Sequence, residues 1–273
     1  MPALPHLSRL YRPCMPRLAD RTIVVTGGAS GLGRALSVAF AAEGARVVIG
    51  DVRREPLHVG GAPTDELIAE AGGVARFVEC DVSRAADLDR IVEAALDLGD
   101  GRLDVMVNNA MVAGPHSKGL LETTERDWDV IFDVGLRGTF LGSKRAVAQM
   151  LTQQPRGDVR GRIINMSSEH GMVGAPGHVA YCAMKGGVVN MTRQIAVDFA
   201  RHGIVCNAIA PGKIVTPRAG GDDPELPFSH ARTPWPRLGA PEDVAALGVF
   251  LASDDCRFMT GANVLIDGGY MAF

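Results

Sequence analysis

The chain is expected to fold as one α/β domain, a doubly wound parallel sheet of about seven strands with helices on both faces. Three observations predict this. Short β-branched runs alternate with stretches of helical apolar spacing from residue 22 to residue 266, the pattern of parallel strands joined by crossover helices. The first of these units carries a glycine-rich turn between its strand and its helix. No repeat or internal boundary interrupts the 273 residues, and 47% apolar content suffices for a sizeable core.

The elements follow in order. Thr22 to Thr26 (TIVVT) is a short buried strand. It runs into Gly27-Gly28-Ala29-Ser30-Gly31-Leu32-Gly33, and Arg34 to Gly44 then has helical spacing, stopped by Gly44. Ala45 to Ile49 is the second strand, ending at Gly50-Asp51. This arrangement suits a dinucleotide. The glycines let the backbone approach a pyrophosphate, and the helix N-terminus favours its negative charge. An acid about 20 residues on can accept hydrogen bonds from ribose hydroxyls. A glycine-rich turn alone is a weak signal; between strand and helix, with Asp51 at that distance, it is strong.

Asp65 to Ala71 is a short helix after a Pro- and Gly-broken stretch. Val74 to Cys80 is a strand leading to Asp81-Val82, and Asp87 to Leu98 is a helix. Leu103 to Val107 is a strand ending in Asn108-Asn109-Ala110. Asp127 to Met150 reads as one long helical stretch, Arg162 to Met166 as a strand and Tyr181 to Arg201 as a helix. Ile204 to Ile209 is a strand followed by Pro211-Gly212; Pro241 to Leu251 is a helix; Asn263 to Ile266 is the last strand.

The stretch from 162 to 200 carries the chemistry. Ser168 stands where its strand stops, and Tyr181 and Lys185 lie one helical turn apart on one face. A cation beside a phenol favours the phenolate and lowers a pKa that is ordinarily ~10. Such a Tyr can exchange a proton with an alcohol or carbonyl oxygen, and Ser168 can hydrogen-bond the same oxygen. Tyr-x-x-x-Lys alone is common by chance, and a half-buried Tyr beside a solvated Lys is the plainer reading of that spacing. The dinucleotide turn and the ordered set of motifs below outweigh it.

Together these motifs resemble the short-chain dehydrogenase/reductase family over about residues 19–270. The family's cofactor-binding Thr-Gly-x-x-x-Gly-x-Gly falls on Thr26, Gly27, Gly31 and Gly33, and the resemblance implies that Gly27, Ser30, Gly31, Leu32 and Gly33 face the cofactor. Asp81-Val82 matches the pair that meets the adenine, and Asn109-Ala110 belongs to Asn-Asn-Ala-Gly, whose last position is Met111 here. Pro211-Gly212 with Ile214 and Thr216 matches the segment that clasps the nicotinamide. Ser168, Tyr181 and Lys185 match the catalytic residues; Tyr181 and Lys185 also meet the cofactor. The implied fold is Rossmann-like and the implied activity is interconversion of a secondary alcohol and a ketone. Asp51 implies NAD rather than NADP, with Arg53 and Arg54 close enough to soften that preference. One departure stands out: the Asn expected before the catalytic strand is Gly135, which puts the proton relay through Lys185 in doubt. Either a bent backbone and a water replace that Asn, or the vacated space admits a bulky substrate or Met111. Two other readings keep the fold: a catalytically impaired, cofactor-binding regulator, and a nucleotide-sugar epimerase-like enzyme, for which the C-terminus leaves little room.

The remaining expectations concern surroundings. A net charge of −3 without a Lys/Arg run gives no hint of nucleic acid. No apolar run reaches the ~18 residues of a membrane helix. Five scattered cysteines show no metal or disulfide spacing, which suits a reducing cytoplasm and no bound metal. Residues 1–18 read as a flexible tail and 19–273 as the domain, with the Pro- and Gly-rich 217–235 as a substrate lid. His116, Glu169, His170, Val173, His178 and Met184 are candidate pocket walls. Many relatives are homotetramers, and the apolar segment from Val264 to Phe273 would suit an interface.

Overall fold

A computed structural model describes residues 16–57, 61–112, 118–216 and 226–273. Seven parallel strands form one sheet in the order β3-β2-β1-β4-β5-β6-β7. They are β1 (Thr22–Thr26), β2 (Arg46–Asp51), β3 (Val74–Glu79), β4 (Val105–Asn108), β5 (Gly161–Met166), β6 (Ile204–Pro211) and β7 (Asn263–Ile266). Between them run α1 (Gly31–Ala42), α2 (Thr64–Glu70), α3 (Ala85–Leu98), α4 (Glu125–Phe132), α5 (Gly138–Leu151), α6 (Val179–Phe199), α7 (Leu226–Arg232) and α8 (Pro241–Ala252). The winding reverses between β1 and β4, so the crevice of a doubly wound sheet opens at the carboxyl ends of those strands.

Central strands buried on both faces read as continuous apolar runs, and β1 and β5 are buried throughout. One face of the sheet packs Leu36 and Phe40 of α1, Ile68 of α2 and Val244 and Val249 of α8. The other packs Leu88 and Ile91 of α3, Ala146 and Met150 of α5 and Ala196 of α6. A polar ladder crosses this second layer. Asn108 Nδ2 donates to Asn165 Oδ1 at 2.9 Å and to Ser143 Oγ at 3.0 Å, and Asn165 Nδ2 donates to Thr192 Oγ1 at 2.9 Å.

Three expectations change. The single helix over 127–150 is two helices, α4 and α5, joined by one turn of π-helix at Asp133–Arg137. Gly135 sits in that wider turn, and its carbonyl accepts from Thr139 Oγ1 at 2.7 Å. The domain begins before residue 19: Leu18 is wholly buried in the first core layer, and Arg17 pairs with Glu43. An apolar side chain with a place in the core does not stay in a loose tail; residues 1–15 lie outside the described residues. Within 217–235 the Pro-rich composition hid α7; residues 217–225 lie outside the described residues.

Candidate active site

The sheet brings the motif residues to one edge. Gly27, Asp51, Asp81, Asn109, Ser168 and Gly212 each end or follow a different strand, all at carboxyl ends. Gly27 and Gly31 take positive φ of 65° and 53°, which L side chains rarely adopt. A Cβ at Gly27 would lie 2.8 Å from Ala110 Cα, and one at Gly33 would run into the Gly27 carbonyl oxygen. At Gly31 the only neighbour among the described residues is Thr216 Cγ2 at 3.8 Å. The turn is therefore closed against the protein at Gly27 and Gly33 and open at Gly31, where a ligand backbone can approach. Thr216, from the segment after β6, stands across that opening. This cradle fits a dinucleotide pyrophosphate over the N-terminus of α1.

Neighbouring groups hold the turn. Asn109 Nδ2 donates to the Thr26 and Gly27 carbonyls at 2.9 and 3.1 Å, and Thr26 Oγ1 accepts from the Asn109 and Ala110 amides. Asn109 thus braces the loop through its side chain. Asp51 Oδ2 accepts from the Ala29 amide at 3.1 Å; burial raises the pKa of this acid, opposed by backbone hydrogen bonds and Arg53. Ser30 Oγ accepts from the Leu57 amide at 2.7 Å. Arg54 is held by Asp65 at 2.7 Å and Glu66 at 3.0 Å. Asp81 Oδ1 accepts from the Ser83 amide and hydroxyl, while Val82 is buried against Gly138. The β6 end is fixed by Gly212 donating to Ile266 and by the Ile214–Gly239 bridge; Leu32 and Ile214 pack on the first core layer.

Ser168 is buried at the end of β5, and its Oγ accepts from the His170 amide at 3.2 Å. A hydroxyl that accepts one bond keeps its own proton to donate. Tyr181 lies in the first turn of α6. Lys185, 6% exposed, donates from Nζ to the Met166 carbonyl at 2.7 Å and sits 5.6 Å from the centre of the Tyr181 ring. Burial lowers its pKa to about 8.

The space beside Gly135 is taken by Met184. A Cβ there would lie 2.7 Å from Met184 Sδ and 2.8 Å from its Cε. The expected bend in the backbone is present; the expected opening is filled by Met184, which is fully buried and is no pocket wall. Glu169 is also buried, its Oε2 facing Gly212 with no hydrogen-bond partner among the described residues, and its pKa is pushed up to about 8 by burial, then by Asp267. His170 and His178 meet Tyr181 edge-on at 6.2 and 6.3 Å between ring centres. Val173 is half-buried; His116 lies outside the described residues.

Sequence reasoning missed Tyr270, Arg232 and Asp267. The Arg232 guanidinium lies 4.8 Å over the Tyr270 ring, which in turn meets His170 at 6.2 Å. Asp267 follows β7 and accepts from the Gly269 and Met271 amides. Its place after the last strand was the available signal. Among the described residues no group of three metal-ligating side chains occurs, no helix is long and apolar enough to cross a membrane, and the four cysteines are free.

A strand-end cradle beside a Ser, Tyr and Lys on a seven-stranded parallel sheet delimits the class, and sequence comparison identifies it. A family model described as enoyl-(acyl carrier protein) reductase matches residues 27–271. The chain is 38% identical over 263 residues to 2-(S)-hydroxypropyl-CoM dehydrogenase 3 of Xanthobacter autotrophicus, covering 94% of this chain and 98% of that one. It is 38% identical over 260 residues to a 3-oxoacyl-(acyl-carrier-protein) reductase of Thermotoga maritima, covering 93% and 98%. With 3beta-hydroxysteroid dehydrogenase 1 of Eggerthella lenta it shares 39% over 257 residues, covering 92% and 94%. The chain belongs to the short-chain dehydrogenase/reductase family of Rossmann-fold oxidoreductases. That family binds a nicotinamide cofactor.

Proposed function

We propose that the chain is an NAD(H)-dependent enzyme that interconverts a secondary alcohol and a ketone, with Ser168, Tyr181 and Lys185 at the reacting oxygen. The observation that carries this reading is the buried Lys185 ammonium beside the Tyr181 ring. Removing an ammonium from water costs several kcal/mol. At a pKa of about 8 the group remains largely charged at neutral pH, and its charge favours the Tyr181 phenolate. In oxidation Tyr181 Oη takes the hydroxyl proton while Ser168 Oγ donates a hydrogen bond to the same oxygen. A bound nicotinamide supplies the hydride acceptor. Reduction uses the same groups in reverse.

Asp51 supports NAD. Its carboxylate, at the end of β2 beside the turn, suits ribose hydroxyls and repels a 2′-phosphate. Arg54 is already paired with Asp65 and Glu66, so it offers that phosphate little. The relatives, by name, act on hydroxyl- or carbonyl-bearing molecules, which supports the reaction class. The further parts of the proposal are a lid over 217–235, a homotetramer using the C-terminal segment, and a cytoplasmic setting.

The test is kcat/KM with NAD and NADP over a panel of secondary alcohols, for wild type and Tyr181→Phe. Expected are a preference for NAD and a loss of turnover of about a hundredfold or more in the variant, with cofactor binding retained. Preference for NADP overturns the cofactor assignment. Near wild-type turnover in Tyr181→Phe overturns the mechanism.

A further inference from the structure

We infer that His170 is the relay through which the proton on Tyr181 exchanges with solvent. The inference rests on the alcohol–ketone reading above. Each oxidation sends an electron pair and one hydrogen from carbon to the nicotinamide as hydride, and the hydroxyl proton to Tyr181. The phenol must lose that proton before the next turnover.

The two sides of Tyr181 differ in what they offer. On the Lys185 side, Nζ makes its one hydrogen bond among the described residues to the Met166 carbonyl. Tyr181 itself also packs against an apolar cluster of Met184, Ile131, Ala180 and Val188, with Met111, Phe132 and Leu136 around it. Met184 Sδ and Cε lie where a side chain at position 135 would reach. These groups are hydrocarbon and thioether, which carry no protons.

The other side is built of titratable rings. His170 and His178 are 5.6 Å apart between centres, and each meets the Tyr181 ring. His178 is tethered, its Nδ1 2.8 Å from the Pro176 carbonyl. His170 occupies the middle of the cluster and is partly exposed to solvent, with Nε2 3.6 Å from Glu169 Oε1. The groups that face it are Glu169 from its own turn, His178 at the N-terminal cap of α6, Tyr181 from α6, and Tyr270 from the C-terminal segment. Arg232 of α7 lies over Tyr270, and Lys213 and Asp267 act on Glu169 from the ends of β6 and β7. Imidazole is the side chain whose proton affinity suits exchange near neutral pH. The proton passes from the substrate hydroxyl to Tyr181 Oη, then to an imidazole nitrogen of His170, then to water. None is retained.

The experiment uses His170→Ala and His170→Gln in the full chain with saturating NAD and the best alcohol of the panel. Expected is a fall in kcat of about tenfold at pH 7, modest beside the loss of a direct general base. Expected too are a displaced kcat–pH profile and an increased solvent deuterium effect on kcat. Imidazole in the medium should restore most of the rate to His170→Ala, while melting temperature and cofactor affinity stay near wild type. A second readout needs no turnover. The ultraviolet tyrosinate titration of Tyr181, taken against Tyr181→Phe, should change shape and midpoint on going from the unliganded chain to His170→Gln, because coupled sites titrate together; an unchanged titration overturns the relay. A structural role predicts that Gln restores wild-type behaviour and that imidazole does nothing; that result overturns the relay and leaves the alcohol–ketone reading standing. Wild type inert toward every alcohol and ketone overturns both.

Discussion

The β1–α1 turn and the loop between β5 and α6 share one edge of the sheet and treat their polar atoms in opposite ways. At the turn, Asn109, Thr26, Asp51 and Ser30 all hydrogen-bond backbone groups, and Thr64 Oγ1 reaches the Gly28 carbonyl. At the other loop, Glu169 Oε2 is buried with no hydrogen-bond partner among the described residues, as are Arg232 Nε of α7 and Asn263 Oδ1 of β7. Such atoms are costly to bury. The difference teaches that the two halves answer different demands. A cradle for a ligand common to a whole family gains from being rigid before binding. A surface that meets a particular substrate needs donors and acceptors still open to it.

Substitutions can break or sharpen this contrast. The largest effect is expected at Gly33→Ala, whose Cβ meets the Gly27 carbonyl and the Asn109 amide, so the braced turn must deform. Overpacking of this kind costs about 1–3 kcal/mol, and cofactor affinity should fall at least about tenfold. Thermal melts and cofactor titration measure both, and an unaltered variant means that the turn is pliant. Next is Gly135→Asn, which drives a side chain into Met184. It should lose about 1–3 kcal/mol in denaturant unfolding, largely recovered by adding Met184→Ala. No recovery in the double variant places the strain in the π-turn itself.

The most gradual effect is a pH slope at Glu169, spread over several pH units. The folded chain holds its proton up to about pH 8, against 4.5 for an ordinary Glu. Between those values the folded state binds a proton that the unfolded state has released, so the stability from this group is full below pH 4.5 and lost as pH rises through about 8. Glu169→Gln cannot titrate and should flatten that fall. Denaturant midpoints from pH 5 to pH 8.5 follow it, and parallel slopes for the two chains mean the carboxyl is not held neutral.

The sheet and the glycine turn were legible in the sequence because both are local. Period and turn chemistry mark β1 and α1, and Asp51 follows at a fixed distance along the chain. The bend at 133–137 had a local signal too, Gly135 and Gly138 inside one helical stretch. Its filling did not. That Met184 enters the space over Gly135 depends on how α6 lies against the π-turn, a contact between positions 49 residues apart. Burial of Glu169 under Gly212 likewise needs β5 beside β6, and no spacing along the chain encodes it. The β5–α6 side was read least well because tertiary contact builds it.

The amide ladder in the second layer has a consequence for how the sheet finds its alignment. β4 and β5 pair with Asn108 opposite Asn165, next to the apolar pairs Val107–Ile164 and Met106–Ile163. Val, Ile and Met neighbours tolerate exchange among themselves, so greasy strands alone discriminate poorly between offsets. Slide β5 by one position and its side chains swap faces; the two carboxamides then point into opposite layers, each stranded in hydrocarbon. The pair works as a dowel, admitting one offset of the central strands, and that offset brings the strand ends before Asn109 and Ser168 to the same rim.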